Sequence, residues 1–99
     1  MAGSIEKQAG GSMTEHGLKI LPEHYEPVEL GIKRAELRKN DRDYKQGDIL
    51  NLCEWDGDNF TGRFAIREIS HVADVFAYLP GYVLLSLEDA GPAHDDLMW

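Results

Sequence analysis

Apolar and polar residues alternate along much of the chain between residues 14 and 88, and a period of two is that of a strand with one buried face. "GLKIL" at 17–21 alternates in this way and predicts a short strand. "RAELRK" at 34–39 sets Ala35 and Leu37 on one side and Arg34, Glu36 and Arg38 on the other. It predicts a half-buried strand with the apolar pair toward the core. "ILNLCEW" at 49–55 is a third strand, and "DGDN" at 56–59 is a hairpin turn, since Asp-Gly tolerates the positive φ of tight hairpins. "FTGRFAIREISHV" at 60–72 returns as a longer strand. Its apolar phase slips between Ile66 and Ile69, the mark of a β-bulge. "YVLLSLE" at 82–88 is apolar almost throughout and predicts a central strand.

A helical signal stands at "PEHYEPVELGIK", 22–33. Pro22 suits a first turn, and Glu23 and Glu26 suit a helix N-terminus. Tyr25 and Val28 supply an apolar face, Pro27 must sit in the early turns or bend the helix, and Gly31 fits a C-cap. "NDRDYKQGD" at 40–48 predicts a turn-rich loop, and "ADVFAYLPG" at 73–81 a loop or one helical turn. Together these predict an α+β, mainly β domain of about five strands with one or two short helices. Closure into a small barrel would remove the exposed edges of so small a sheet.

Residues 1–13, "MAGSIEKQAGGSM", offer one large aliphatic residue and predict a disordered leader or expression remnant. Residues 89–99, "DAGPAHDDLMW", predict an acidic, flexible tail around the single domain at 14–88. One cysteine, Cys53, excludes an internal disulfide framework and fits a reducing, cytoplasmic setting. No apolar run approaches the ~20 residues of a membrane span, so no membrane role is expected. His16, His24, His71 and His94 lack metal-ligand spacing, and no Gly-rich phosphate loop or Gly-x-Ser-x-Gly elbow is present. The sequence therefore implies neither metal nor cofactor.

Charge changes the picture. The chain carries a net −8, yet six of its ten basic residues fall in 31–47 against three acidic ones. Such a balance opposes wide nonspecific contact with a nucleic-acid duplex and allows one small basic cleft. Lys33 stands where the helix hands over to the strand on which Glu36 and Arg38 share a face. The carboxylate can hold both cations in place, the lysine can bind an anion or act as a base, and the arginine can grip a phosphate or carboxylate with two hydrogen bonds. Spacing alone leaves the plainer alternative open, a solvated strand face with ordinary ion pairs.

Gly31, Lys33, Glu36 and Arg38 fit Gly-x-Lys-x-x-Glu-x-Arg, which resembles the signature of the ASCH family within the PUA-like superfamily of small β-barrels. "HGLKILPEHY", "ELRKNDRDYKQGDIL", "CEWD", "FTGR" and "GYVLLSL" extend the resemblance, over about 14–88, to a small ASCH-related family of bacterial and phage proteins of unknown function. The resemblance implies a PUA-like barrel with its helix beside a cleft that takes a nucleotide or short single-stranded RNA. Lys33, Arg38 and Arg42 would meet phosphate or base edges, Glu36 and Asn40 polar edges, and Tyr44 or Trp55 would stack on a base. One branch of the family deacylates N4-acetylcytidine with a lysine, a threonine and a glutamate. Lys33 matches that lysine, but Glu36 stands where the branch has threonine. Binding is thus the first expectation. The alternatives are an amidohydrolase with Lys33 as base assisted by Glu36 or Glu68, or a monomeric phage-type domain that meets a protein partner.

Overall fold

The computed structural model describes residues 14–90; the predicted leader and most of the predicted tail lie outside them. Five strands and one helix follow in the order β1 (Glu15–Ile20), α1 (Pro22–Glu29), β2 (Ala35–Lys39), β3 (Ile49–Trp55), β4 (Phe60–Asp74) and β5 (Tyr82–Asp89). They form one sheet in the order β1-β3-β4-β5-β2, a curled half-barrel. β1 runs parallel to β3, and every other pairing is antiparallel. None of the described helices is long and apolar enough to cross a membrane.

β4 is the spine of the curl. Its first part pairs with β3 and its last part with β5, so a single long strand serves both halves of the sheet. Its register against β5 shifts between Ile69 and His71, just past the predicted slip. The extra residue there sharpens the twist. The curl turns Leu18, Ile20, Leu50, Leu52, Ala65, Ile69, Val83, Leu85 and Leu87 toward one concave core. β5 is an interior strand, as expected, but one of its faces stays open: Leu84 is part-exposed while Val83 and Leu85 are buried.

α1 seals this core with Tyr25 and Val28. Eight residues cannot hold a helix by propensity in water, so burial of those two side chains decides it. Pro22 opens it, Pro27 lies inside it, and no side chain caps its start. Its end is better made. The Gly31 N–H donates to the Val28 carbonyl, and the Ile32 N–H reaches back to the Pro27 carbonyl, the paired bonds of a Schellman cap. Gly31 has φ +79°, a left-handed conformation that costs other residues strain. The Lys33 N–H also donates to Pro27, so the cap sets where Lys33 stands. Among the described residues one helix forms; residues 76–81 make turns, begun by the Tyr78 and Leu79 N–H groups on the Val75 carbonyl.

The 40–48 loop packs into the concave side. Tyr44 is buried with its ring edge-on to His16, 4.8 Å between centroids. His16 Nε2 lies 2.8 Å from Asp48 Oδ2, an atom that also accepts the Lys45 N–H. His16 is thus a satisfied core histidine.

The expected faces of β2 are reversed. Glu36 is buried at 5% exposure, and Leu37, expected in the core, is 49% exposed. The reason is the curl: β2 is an edge strand, and its inward face looks across a seam at β1 rather than onto packed side chains.

Gly31→Ala is expected to lower stability by about 1 kcal/mol, since the cap needs positive φ and nothing crowds the position. Urea denaturation checks this, and Gly31→Asn should lose less because asparagine tolerates that conformation.

Candidate functional site

A cleft of about 690 Å³ opens where the edges of β1 and β2 face each other. Its walls carry Lys33, Arg38, Lys39 and Arg42, with Glu36 and Asp41 as the opposing carboxylates; Lys19 lines it as well, but its ammonium stands over Trp55. Four cations against two acids is a local positive excess on a chain of net −8.

Glu36 organises the cleft. Lys33 Nζ donates to Glu36 Oε2 and, at 2.7 Å, to the Ala35 carbonyl. Arg38 Nε donates to Glu36 Oε1 at 3.1 Å. Both carboxylate oxygens are therefore engaged, as a buried charge requires. The Arg38 guanidinium then crosses the seam, its NH2 group donating to the Lys19 carbonyl at 2.9 Å. Arg42 makes a second crossing to the Gly17 carbonyl, also 2.9 Å. Two side chains thus cap backbone carbonyls that a neighbouring strand would otherwise take, which protects the β1 edge without closing the barrel. Each guanidinium has five N–H donors and uses at most two here, so both keep donors for an anion.

The other predicted site residues divide. Tyr44 lines the cleft, but its ring belongs to the core. Burial raises its phenol above the ordinary value, and the Arg42 and Arg38 charges pull it back. Asn40 is a turn residue whose N–H donates to the Gly81 carbonyl, and it does not line the cleft. Trp55 points to the convex face, where Phe60 meets it edge-on and Lys19 Nζ stands 3.9 Å above its ring. Glu68 pairs in register with Ile49 and Glu88 and does not approach Lys33 through the cleft. The aromatic ring that does line the cleft beside Tyr44 is Tyr82. It escaped notice because it begins an apolar strand.

A second carboxylate cluster was also missed. Glu54 is buried and accepts two parallel bonds from Arg63, both 2.9 Å, and one from the Thr61 hydroxyl at 2.6 Å. Arg63 continues to Glu26 of α1 at 3.3 Å and lies over the Tyr25 ring. It clamps the helix to the β3–β4 hairpin. The signal was present in "CEWD" and "FTGR", whose polar residues face each other across that hairpin.

These elements span a known sequence family. A family model described as a domain of unknown function, DUF3850, matches residues 15–87, from the start of β1 to near the end of β5. The chain belongs to the DUF3850 family. It is 44% identical over 70 residues to an uncharacterized 12.9 kDa protein in the GpA 3′ region of Escherichia phage P2. The match covers 71% of this chain and 64% of the phage protein, so the chain spans less than two thirds of that relative's length. The DUF3850 match takes in Glu36, its three cationic neighbours Lys33, Arg38 and Arg42, and the Glu54 clamp alike.

Two outcomes follow. Glu36→Ala should destabilise the DUF3850 domain by about 2 kcal/mol. That is less than for a fully buried pair, because the Lys33 and Arg38 side chains keep 29% and 24% exposure. Urea midpoints check it. The second concerns acid. The Arg63 and Thr61 hydrogen bonds hold the Glu54 carboxyl below its ordinary range. Its stabilising effect is complete above the unfolded value, roughly pH 4.3, and is lost as pH falls through the lower folded value. The urea midpoint should therefore drop from pH 5 to pH 3, and more shallowly in Glu54→Gln.

Proposed function

We propose that the DUF3850 half-barrel is an ASCH-type, PUA-like module, monomeric and cytoplasmic, that binds a nucleotide or a short single-stranded RNA segment in the β1–β2 cleft. The observation that carries this reading is the gathering of Lys33, Arg38, Lys39 and Arg42 on one cleft of a strongly acidic chain. Arg38 and Arg42 are held by backbone carbonyls, so an anion meets donors already in position. The volume is of small-ligand size, too small for a duplex. The Gly-x-Lys-x-x-Glu-x-Arg resemblance supports the same reading, because each of its four residues has a part in building this wall.

The geometry favours binding over amide hydrolysis. Lys33 spends two of its three donors on Glu36 and the Ala35 carbonyl, an anchoring role rather than that of a base. Both Glu36 oxygens are taken, and Thr61 belongs to the Glu54 clamp. N4-acetylcytidine is accordingly expected to bind without turnover.

Amide chemical-shift titration with a panel of nucleoside monophosphates and short oligoribonucleotides tests the reading. Shifts should cluster at residues 33–44 and weaken with added salt. Arg42→Ala should weaken nucleotide binding about tenfold, the loss of a charge-assisted contact, with a smaller drop in the urea midpoint because its bond to the Gly17 carbonyl is solvent-exposed. A panel that moves no cleft resonance overturns it.

A further inference from the structure

The backbone along the two sheet edges adds a set of atoms to the cleft that no side-chain motif shows. On β1 the Gly17 and Lys19 carbonyls face away from β3, where Arg42 and Arg38 reach them. On β2 the Asn40 N–H donates to Gly81 and the Arg34 carbonyl accepts from Leu87, so both residues face β5. Antiparallel alternation then turns Glu36 and Arg38 toward β5 as well, and turns the backbone of Ala35, Leu37 and Lys39 into the cleft. The Ala35 carbonyl is taken by Lys33. Leu37 remains. It lies mid-strand and lines the cleft, and its N–H and C=O have no hydrogen-bond partner among the described residues.

We propose that the Leu37 backbone reads the base of the ligand. Its N–H and C=O, side by side on the edge, form a donor–acceptor pair for the Watson–Crick edge of an unpaired nucleobase. The base lies in the plane of the sheet, where a further strand would lie. Every nucleobase carries an adjacent donor and acceptor on that edge, and in a duplex both are already used. The site therefore takes a free nucleotide or an unpaired residue of a single strand. This rests on the nucleotide reading above and narrows it.

Three features agree. Arg38 follows Leu37 directly and spans the seam to Lys19, so phosphate donors lie next to the edge. The Leu37 and Leu84 side chains, cross-strand partners that both line the cleft, give apolar contact beside the base. The facing carbonyls of β1 are occupied by arginines, so an added peptide strand would pair on one side only and along a short edge. The geometry thus suits a base better than a strand.

The experiment compares cytidine 5′-monophosphate with ribose 5-phosphate, which lacks the base, on the ¹⁵N-labelled full chain. The nucleotide should shift the Leu37 amide strongly and bind at least fivefold tighter. Ribose 5-phosphate should shift residues around Arg38 and Arg42 and leave Leu37 in place. Leu37→Ala, which keeps the N–H, measures the loss of the leucine side chain; relative to it, Leu37→Pro deletes the outward N–H, a change that edge strands tolerate. It should weaken the nucleotide several-fold and leave ribose 5-phosphate unchanged. Should that variant misfold, the wild-type shift comparison decides alone. Equal affinity for the two ligands, or a still Leu37 amide beside moving Arg38 and Arg42 resonances, overturns the base-reading edge while nucleotide binding stands. Silence from both ligands overturns both proposals. A Leu37 shift produced by an acidic extended peptide and not by the nucleotide also overturns it and makes the edge a peptide site.

Discussion

A buried carboxylate is the constraint on which the site depends. Glu36 sits on the inward face of an edge strand with almost no contact with water, and a charge in that place is tolerated only when both of its oxygens are bonded. Lys33 takes one and Arg38 the other. Lys33 reaches it because α1 ends in a cap that only a left-handed residue closes, and Gly31 supplies that residue. Arg38 reaches it from two positions along the strand and has enough length left to touch β1. The spacing Gly31, Lys33, Glu36, Arg38 is therefore the spacing of one electrostatic knot, from helix cap to carboxylate to the far edge of the sheet.

The same knot manages the open seam. A curled sheet of five strands leaves two edges, and exposed edges invite pairing with other chains. Here the carbonyls of β1 accept guanidinium donors instead of a strand. Stability and the proposed binding thus draw on the same cations. The seam stays open as a cleft because side chains, rather than backbone, span it. Across the hairpin of β3 and β4, Glu54 and Arg63 repeat the principle for another purpose: one buried carboxylate, one bidentate arginine, and the helix fixed in place.

Much of the fold was legible along the chain. Five strands, one helix, the Asp-Gly hairpin, the bulge in β4 and the Gly31 cap all follow from local period and turn chemistry, which act within a few residues. The cluster of Lys33, Glu36 and Arg38 was legible too, because alternation on one strand and one helix end brings them together. Local pattern could not show which way β2 faces. Alternation gives two faces but does not say which is inside, and the usual rule, apolar inward, assigned Leu37 to the core. It failed because an edge strand at a seam has no packed layer to meet.

Other features belong to tertiary structure alone. Asn40 and Trp55, both expected at the cleft, lie away from it, since one serves a turn and the other the convex face. Tyr82 reaches the cleft from the far end of the chain through its pairing with Lys39. Glu54 and Arg63 met only when the hairpin set them opposite each other, and Tyr44 was drawn into the core by His16. The sequence by itself determined the elements, their order and the residues rich in charge. The curl of the sheet decided which of those charges are buried, which are shared, and which edge is left open, because burial and edge exposure are set by neighbours distant in the chain.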